Sequence, residues 1–263
     1  MKAENGLAVI TGASSGIGAA TALRLAKAGL PVALVARRIE RLEALAEQIR
    51  FGGGAAHILP ADLSIESDCA RVCEEISALG GAQVLVNNAG LGWYGYCAEM
   101  PWPVAREMLK VNVEAVVQFS LNQLEQMKKR GQGHIINVGS ISGSLPSQGI
   151  ALYGATKAFL DNFSTGLYRE LRGTAIHVSV VRAGPVTTEF CAMAAGRANG
   201  LHLPTERMGV TPEAVAERIW SLIRRPRRVT YIPRYLAAVP WLELSFGWLI
   251  DLLGPLLLNE QET

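Results

Sequence analysis

Six short runs in this chain are almost wholly apolar: LAVIT from residue 7, PVALVA from 31, AHILP from 56, QVLVNN from 83, HIINVGS from 134 and IHVSVVR from 176. A strand with one face in water alternates apolar and polar residues, whereas a strand covered on both faces does not need to. The runs are therefore read as strands of one parallel sheet with helices on each side. Helical stretches lie between the early ones: IGAATALRLAKAG, RIERLEALAEQIRFGG and ESDCARVCEEISALGG, each closing on a glycine that suits a helix C-terminus. The fold class that follows is α/β, a single domain built on a doubly wound parallel β-sheet with helices on both faces. A chain of 263 residues is within reach of one such domain. Ligands of these sheets bind in the crevice beyond the carboxyl ends of the strands.

After residue 184 the periodicity lapses, and GPVTTEFCAMAAGRANGLHLPTERMG is read as a substrate loop over 185–210. A helix from Pro212 to Arg224 and a short strand VTYIP lead to an apolar C-terminal extension, 235–263, set apart from the catalytic unit 1–234. The net charge is only +2, and no run interleaves basic with aromatic residues, so nucleic-acid binding is not expected. The chain reaches its first apolar run by residue 7, which leaves no room for a secretory signal, and it is read as cytoplasmic. Cys69, Cys73, Cys97 and Cys191 have no neighbouring histidine or third cysteine to complete a metal site, so no metal is expected.

TGASSGIG, residues 11–18, leaves the first strand and opens the first helix. Gly12, Ser14, Ser15, Gly16, Ile17 and Gly18 thus form a tight turn whose backbone can approach a pyrophosphate at the positive end of a helix, as in Rossmann-type folds. The spacing departs from the G-x-G-x-x-G fingerprint. Where an NAD-selecting fold places an acid after the second strand, this chain has Arg37 and Arg38. Planar guanidinium donors suit a 2′-phosphate, so NADP(H) is preferred over NAD(H); the alternative is that both are solvated residues. Asp62, followed by Leu63, can accept from an adenine amino group or can simply form a turn.

Tyr153 and Lys157 stand four apart in a helical pattern from 151 to 171. Both groups normally stay protonated near neutrality, with ordinary pKa values of about 10 and about 10.4. Together with a cationic nicotinamide ring, the ammonium can pull the phenol toward working pH and make it an acid/base.

TGASSGIG, NNAG at 87–90, Asn112 in KVNVEA, Ser140 in GSISG and YGATK occur in that order, and over roughly residues 5–190 the chain resembles the short-chain dehydrogenase/reductase family. The resemblance implies hydride transfer between NADP(H) and a carbonyl or secondary alcohol. It gives Tyr153 the role of proton donor or acceptor, Ser140 a hydrogen bond to the reacting oxygen, Lys157 the nicotinamide ribose, and Asn112 a proton path toward the lysine. It also places Asn87, Asn88, Ala89 and Gly90 beside the adenosine end, and Gly184, Val186 and Thr188 beside the nicotinamide. Ala183 and Gly184 stand where the family usually has proline and glycine.

Trp93, Tyr94, Tyr96 and Met193 are expected to line an apolar pocket for a hydrophobic small-molecule substrate. His57, His134, His177 and His202 receive no catalytic role. The extension carries Arg224, Arg225, Arg227, Arg228 and Arg234 just ahead of Trp241, Phe246 and Trp248, but Glu243, Asp251 and Pro255 interrupt it. It is read as an interface in a homodimer or homotetramer, as a lid, or as a peripheral membrane contact, and not as a spanning helix.

Overall fold

The computed structural model describes residues 6–201 and 209–258. His202, part of the substrate loop and the last five residues of the extension lie outside them. Seven strands form one sheet: β1 (Ala8–Thr11), β2 (Val32–Ala36), β3 (Ala56–Pro60), β4 (Val84–Asn87), β5 (Gln132–Ser140), β6 (Ala175–Ala183) and β7 (Val229–Ile232). Their order is β3-β2-β1-β4-β5-β6-β7, and every pairing is parallel.

The unbroken apolar runs are explained by burial from both sides. Ala8, Ile10, Val32, Leu34, Val84 and Val86 face a core completed by α1 (Gly16–Lys27), α2 (Ile39–Phe51) and α8 (Pro212–Arg224). Val9, Ala33, Val35 and Leu85 alternate with them and face α3 (Glu66–Ala78), α5 (Ala115–Arg130) and α6 (Ala151–Glu170). Each large aliphatic side chain removed from water contributes roughly 1.5–3 kcal/mol, so neither face can be left bare.

Between β4 and β5 the chain forms α4 (Trp102–Leu109), which runs through a π-helical turn, Lys110–Glu114, directly into α5. The wider turn carries Asn112 and aims it off the regular helical register. After β6 a parallel bridge between Val186 and Val210 ties the substrate loop back, and the loop holds a helix, α7 (Phe190–Ala195), where the sequence suggested none. The extension forms α9 (Val239–Leu258), kinked at Phe246. Trp241, Leu242, Leu244, Phe246 and Trp248 on it are exposed. No helix of the described residues is long and apolar enough to cross a membrane.

Most polar groups inside the sheet layer are paired. Asn87 donates to Ser120 Oγ at 3.0 Å and to Asn137 Oδ1 at 2.8 Å, while Asn137 donates to Ser164 Oγ. His134 is fully buried beside His177, with its Nε2 2.8 Å from Ser179 Oγ and no hydrogen-bond partner for Nδ1 among the described residues. Burial pushes its pKa down to about 3, and the neighbouring His177 adds to the effect. The unfolded chain therefore takes up a proton that the folded core refuses. Stability carried by neutral His134 is complete above about pH 6.5 and is lost as pH falls toward about 3. Thermal unfolding followed from pH 7 to pH 4 is expected to show a falling midpoint whose slope is reduced in His134→Gln; equal slopes would assign the acid sensitivity elsewhere.

Candidate active site

The carboxyl ends of β1 and β4 meet where the strand order reverses, and this junction sets the glycine loop. Thr11 Oγ1 accepts from the backbone N–H groups of Asn88 and Ala89, both at 3.0 Å, and Asn88 Nδ2 donates to Thr11 O at 2.9 Å. The chain turns at Gly12 with φ +67°, and a Cβ there would stand 2.8 Å from the Ala89 backbone. A Cβ on Gly18 would collide with Gly12 O. These glycines let α1 begin hard against the sheet. Ser15 occupies the N-cap of α1, yet its side chain does not cap the helix. The first N–H groups of α1 thus keep their capacity for an anionic ligand.

Ser15 and Ser14 instead hold Arg38. Its guanidinium donates to Ser14 Oγ at 3.1 and 3.0 Å and to Ser15 Oγ at 2.7 Å, and it pairs with Glu189 at 2.8 Å. Arg37 is more exposed, 3.4 Å from Asp62 and 3.3 Å from Glu107. Asp62 forms a turn by accepting from the N–H of Ser64 at 2.9 Å. Burial works against its ionisation, but the Ser64 and Arg37 contacts outweigh it and its pKa is lowered.

At the other end of the same cleft, β5 ends on Ser140 and α6 brings Tyr153 and Lys157. Ser140 Oγ accepts from the backbone N–H of Ser142 at 3.1 Å, donates to Ser142 Oγ at 3.2 Å, and lines the cleft together with Tyr153. Lys157 is only 5% exposed; its Nζ donates to Val138 O at 3.0 Å and stands 5.7 Å from the centre of the Tyr153 ring. One helical turn further on, Asp161 lies beneath the lysine, 3.0 Å from Arg182 Nε. Burial drives Lys157 down to about 8, with Asp161 opposing. Burial likewise raises Tyr153 to about 12, with Ser140 opposing. In the protein alone the phenol is thus a proton donor, and the lowered tyrosine pKa inferred from the sequence is not a property of these residues by themselves.

A cleft of about 460 Å³ joins the two ends. Ser14, Ser15, Arg37, Arg38, Asp62 and Leu63 line one end, and Ser140, Tyr153 and Lys157 the other. Gly12, Gly16, Ile17, Asn88, Ala89, Gly90, Gly184, Val186 and Thr188 lie along its walls. Gly18 does not reach it, being consumed in packing α1 against the loop. Asn87 is absorbed into the buried network above. Asn112 sits behind the wall, where its carboxamide accepts from Leu91 N at 2.8 Å and donates to Leu91 O at 2.9 Å and Thr156 Oγ1 at 3.0 Å. Thr156 passes the contact on to Tyr153 O at 2.8 Å.

The apolar wall differs from the expectation in part. Tyr94 and Met193 line the cleft, but Trp93 is folded over Gly95 with its indole N–H on Ala198 O at 2.9 Å, and exposed Tyr96 faces elsewhere. Ile141, Ile150 and Phe190 take their place. The sequence reading missed Phe190, whose ring centre is 5.7 Å from that of Tyr153 and which lies in the aperiodic loop, and it missed Asp161, for which the i, i+4 spacing from Lys157 was the available signal.

The family model for short chain dehydrogenases matches residues 6–197. The chain belongs to that family of oxidoreductases. Among its relatives, sulfoacetaldehyde reductase of Chromohalobacter salexigens is 35% identical over 84% of this chain and 89% of its own length. The NADP-dependent 3-hydroxy acid dehydrogenase of Salmonella typhi is 34% identical over 85% and 91%. A short-chain dehydrogenase from Sphingobium yanoikuyae, solved in complex with NADPH, superposes with a TM-score of 0.82 at 32% identity, covering 94% of each chain.

Truncating Asn112 would leave Leu91 N and O without their side-chain partner and take from Thr156 Oγ1 one of its two hydrogen bonds. Asn112→Ala is expected to cost about 2–4 kcal/mol in denaturant unfolding; a loss below about 1 kcal/mol would mean that water or a neighbour replaces the carboxamide.

Proposed function

We propose that this chain is an NADP(H)-dependent oxidoreductase that interconverts a carbonyl and a secondary alcohol on an apolar small molecule. The observation that carries the reading is the placement of Ser140 and Tyr153 together beside buried Lys157, at the apolar end of a cleft whose other end is lined by arginines. The glycine cradle, the uncapped N-terminus of α1 and the Ser14–Arg38 pair suit a dinucleotide bearing a 2′-phosphate. Asn88, Ala89 and Gly90 would flank it, Asp62 and Leu63 the adenine, and Gly184, Val186 and Thr188 the nicotinamide. When bound, such a cofactor supplies or accepts the hydride.

The remaining work falls to the protein. Tyr153, held protonated by burial, donates its proton to the carbonyl oxygen during reduction, while Ser140 donates a hydrogen bond to the same oxygen. Lys157 places positive charge next to the phenolate that forms. Asn112 and Thr156 fix the turn of α6 that presents Tyr153, and Asp161 balances the lysine from below. Leu91, Tyr94, Ile141, Ile150, Phe190 and Met193 exclude water and favour an apolar ketone or aldehyde.

Tyr153→Phe is expected to lower turnover of NADPH with apolar ketones by at least a factor of about 10³ while leaving NADPH affinity within a few-fold. Retained turnover would remove Tyr153 from the proton step, and loss of binding would make its role structural.

The unit 1–234 holds every residue of this site, and the extension serves assembly in our reading. Trp241 is 72% exposed and Leu244 80%, and a helix apolar on most sides gains by burial against a second copy. No described residue from 235 onward lines the cleft, which argues against a lid. Sedimentation should therefore give a dimer or tetramer that dissociates in a Trp241→Glu/Leu244→Glu variant. A monomeric wild type that floats with anionic liposomes would transfer the role to a membrane surface, through the arginines at 224–234.

A further inference from the structure

The arginine end of the cleft already holds an anion of the protein's own. Glu189 Oε1 lies 2.8 Å from Arg38 Nη2 and 2.7 Å from Arg41 Nη1. Arg38 in turn spans Ser14 and Ser15. Two guanidinium groups thus converge on a single acid while two serine hydroxyls hold one of them in place, a donor set suited to a phosphate. The Arg38 contact holds the Glu189 carboxyl down at about 2, so it is ionised throughout the working range.

Local structure does not require this placement. Glu189 is the N-cap residue of α7, but its side chain makes no capping bond and reaches instead across to a strand end and helix 148 residues earlier. Its neighbour Thr188 packs on Gly16, which brings the segment directly over the glycine loop. Arg37 is neutralised separately by Asp62 and Glu107. The result is a phosphate-type site whose positive charge is already answered from within.

Resting on the NADP(H) reading above, we propose that Glu189 competes with the cofactor's 2′-phosphate for Arg38, and that Arg41 is a further residue that holds this phosphate. Arg38, Arg41 and Glu189 together carry one net positive charge. A 2′-phosphate gains its full interaction with the two guanidiniums only when the carboxylate gives way. Glu189 then sets the preference between the phosphorylated and unphosphorylated cofactor from the substrate-loop side of the cleft, and Arg41 adds to the preference from α2.

The test is titration calorimetry with 2′,5′-ADP and 5′-AMP, which differ in the 2′-phosphate and need no turnover. Glu189→Gln is expected to bind 2′,5′-ADP about 3- to 10-fold more tightly than wild type, and more steeply so at low salt, with 5′-AMP unchanged. Arg41→Met is expected to weaken 2′,5′-ADP by a similar factor and leave 5′-AMP alone. Equal or weaker binding of 2′,5′-ADP to Glu189→Gln would overturn the competition, and an indifferent Arg41→Met would remove Arg41 from the site. Loss of both ligands in Glu189→Gln would make the carboxylate a scaffold and likewise defeat the proposal. A wild type that does not distinguish the two nucleotides would overturn the cofactor reading itself and this inference with it. A wild type that does, beside a Glu189→Gln variant that matches it, would overturn this inference alone.

Discussion

Burial of the parallel sheet on both faces is the constraint from which the rest of this molecule follows. Because helices cover each side, the strands can carry few exposed polar side chains, and a parallel sheet sends every strand out at the same edge. The chemistry is therefore gathered at one rim. Thr11, Asn88, Ser140 and Arg38 all stand at or just beyond strand ends, while side chains a few residues earlier are apolar or locked in internal networks such as Asn87–Asn137–Ser164. The reversal of order between β1 and β4 opens a gap at that rim, and the Thr11–Asn88 contacts keep its two sides in register.

Within the gap the electrostatics divide into two unlike ends. The arginine end is accessible and heavily paired: Arg37, Arg38 and Arg41 each meet a carboxylate, so ligand charge there must exchange partners rather than fill a bare positive hole. At the other end Lys157 is buried and Tyr153 half-buried. Lys157 and Tyr153 are displaced in opposite directions by the same cause, since desolvation penalises ammonium and phenolate alike. Asp161 restrains the first displacement and Ser140 the second. In the protein alone these displacements leave the phenol protonated.

Sequence periodicity made the architecture legible because a two-sided core leaves a strong signature: all seven strands and helices α1, α2, α3, α6 and α8 lie close to where the apolar runs and glycine stops put them. Motif order carried the family, and the arginines after β2 carried the expectation about the cofactor. Three features resisted. Trp93 reads as a pocket residue by composition, but the turn at Gly95 folds it inward. Gly18 belongs to the glycine motif, yet its absent side chain serves packing and not the cleft. The 185–210 segment has no periodicity to betray α7 or the approach of Phe190 to Tyr153.

By itself, then, the sequence determined what depends on neighbours along the chain: strand and helix placement, the glycine turn, the Tyr153–Lys157 spacing on one helical face. Only the tertiary structure decided which charges meet. Arg41 and Glu189 are 148 residues apart, Arg197 and Glu107 are 90, and no local pattern encodes such pairs. They arise because parallel strands deliver remote loops to a common rim, where Coulomb attraction over about 3 Å selects partners that the order of residues leaves open.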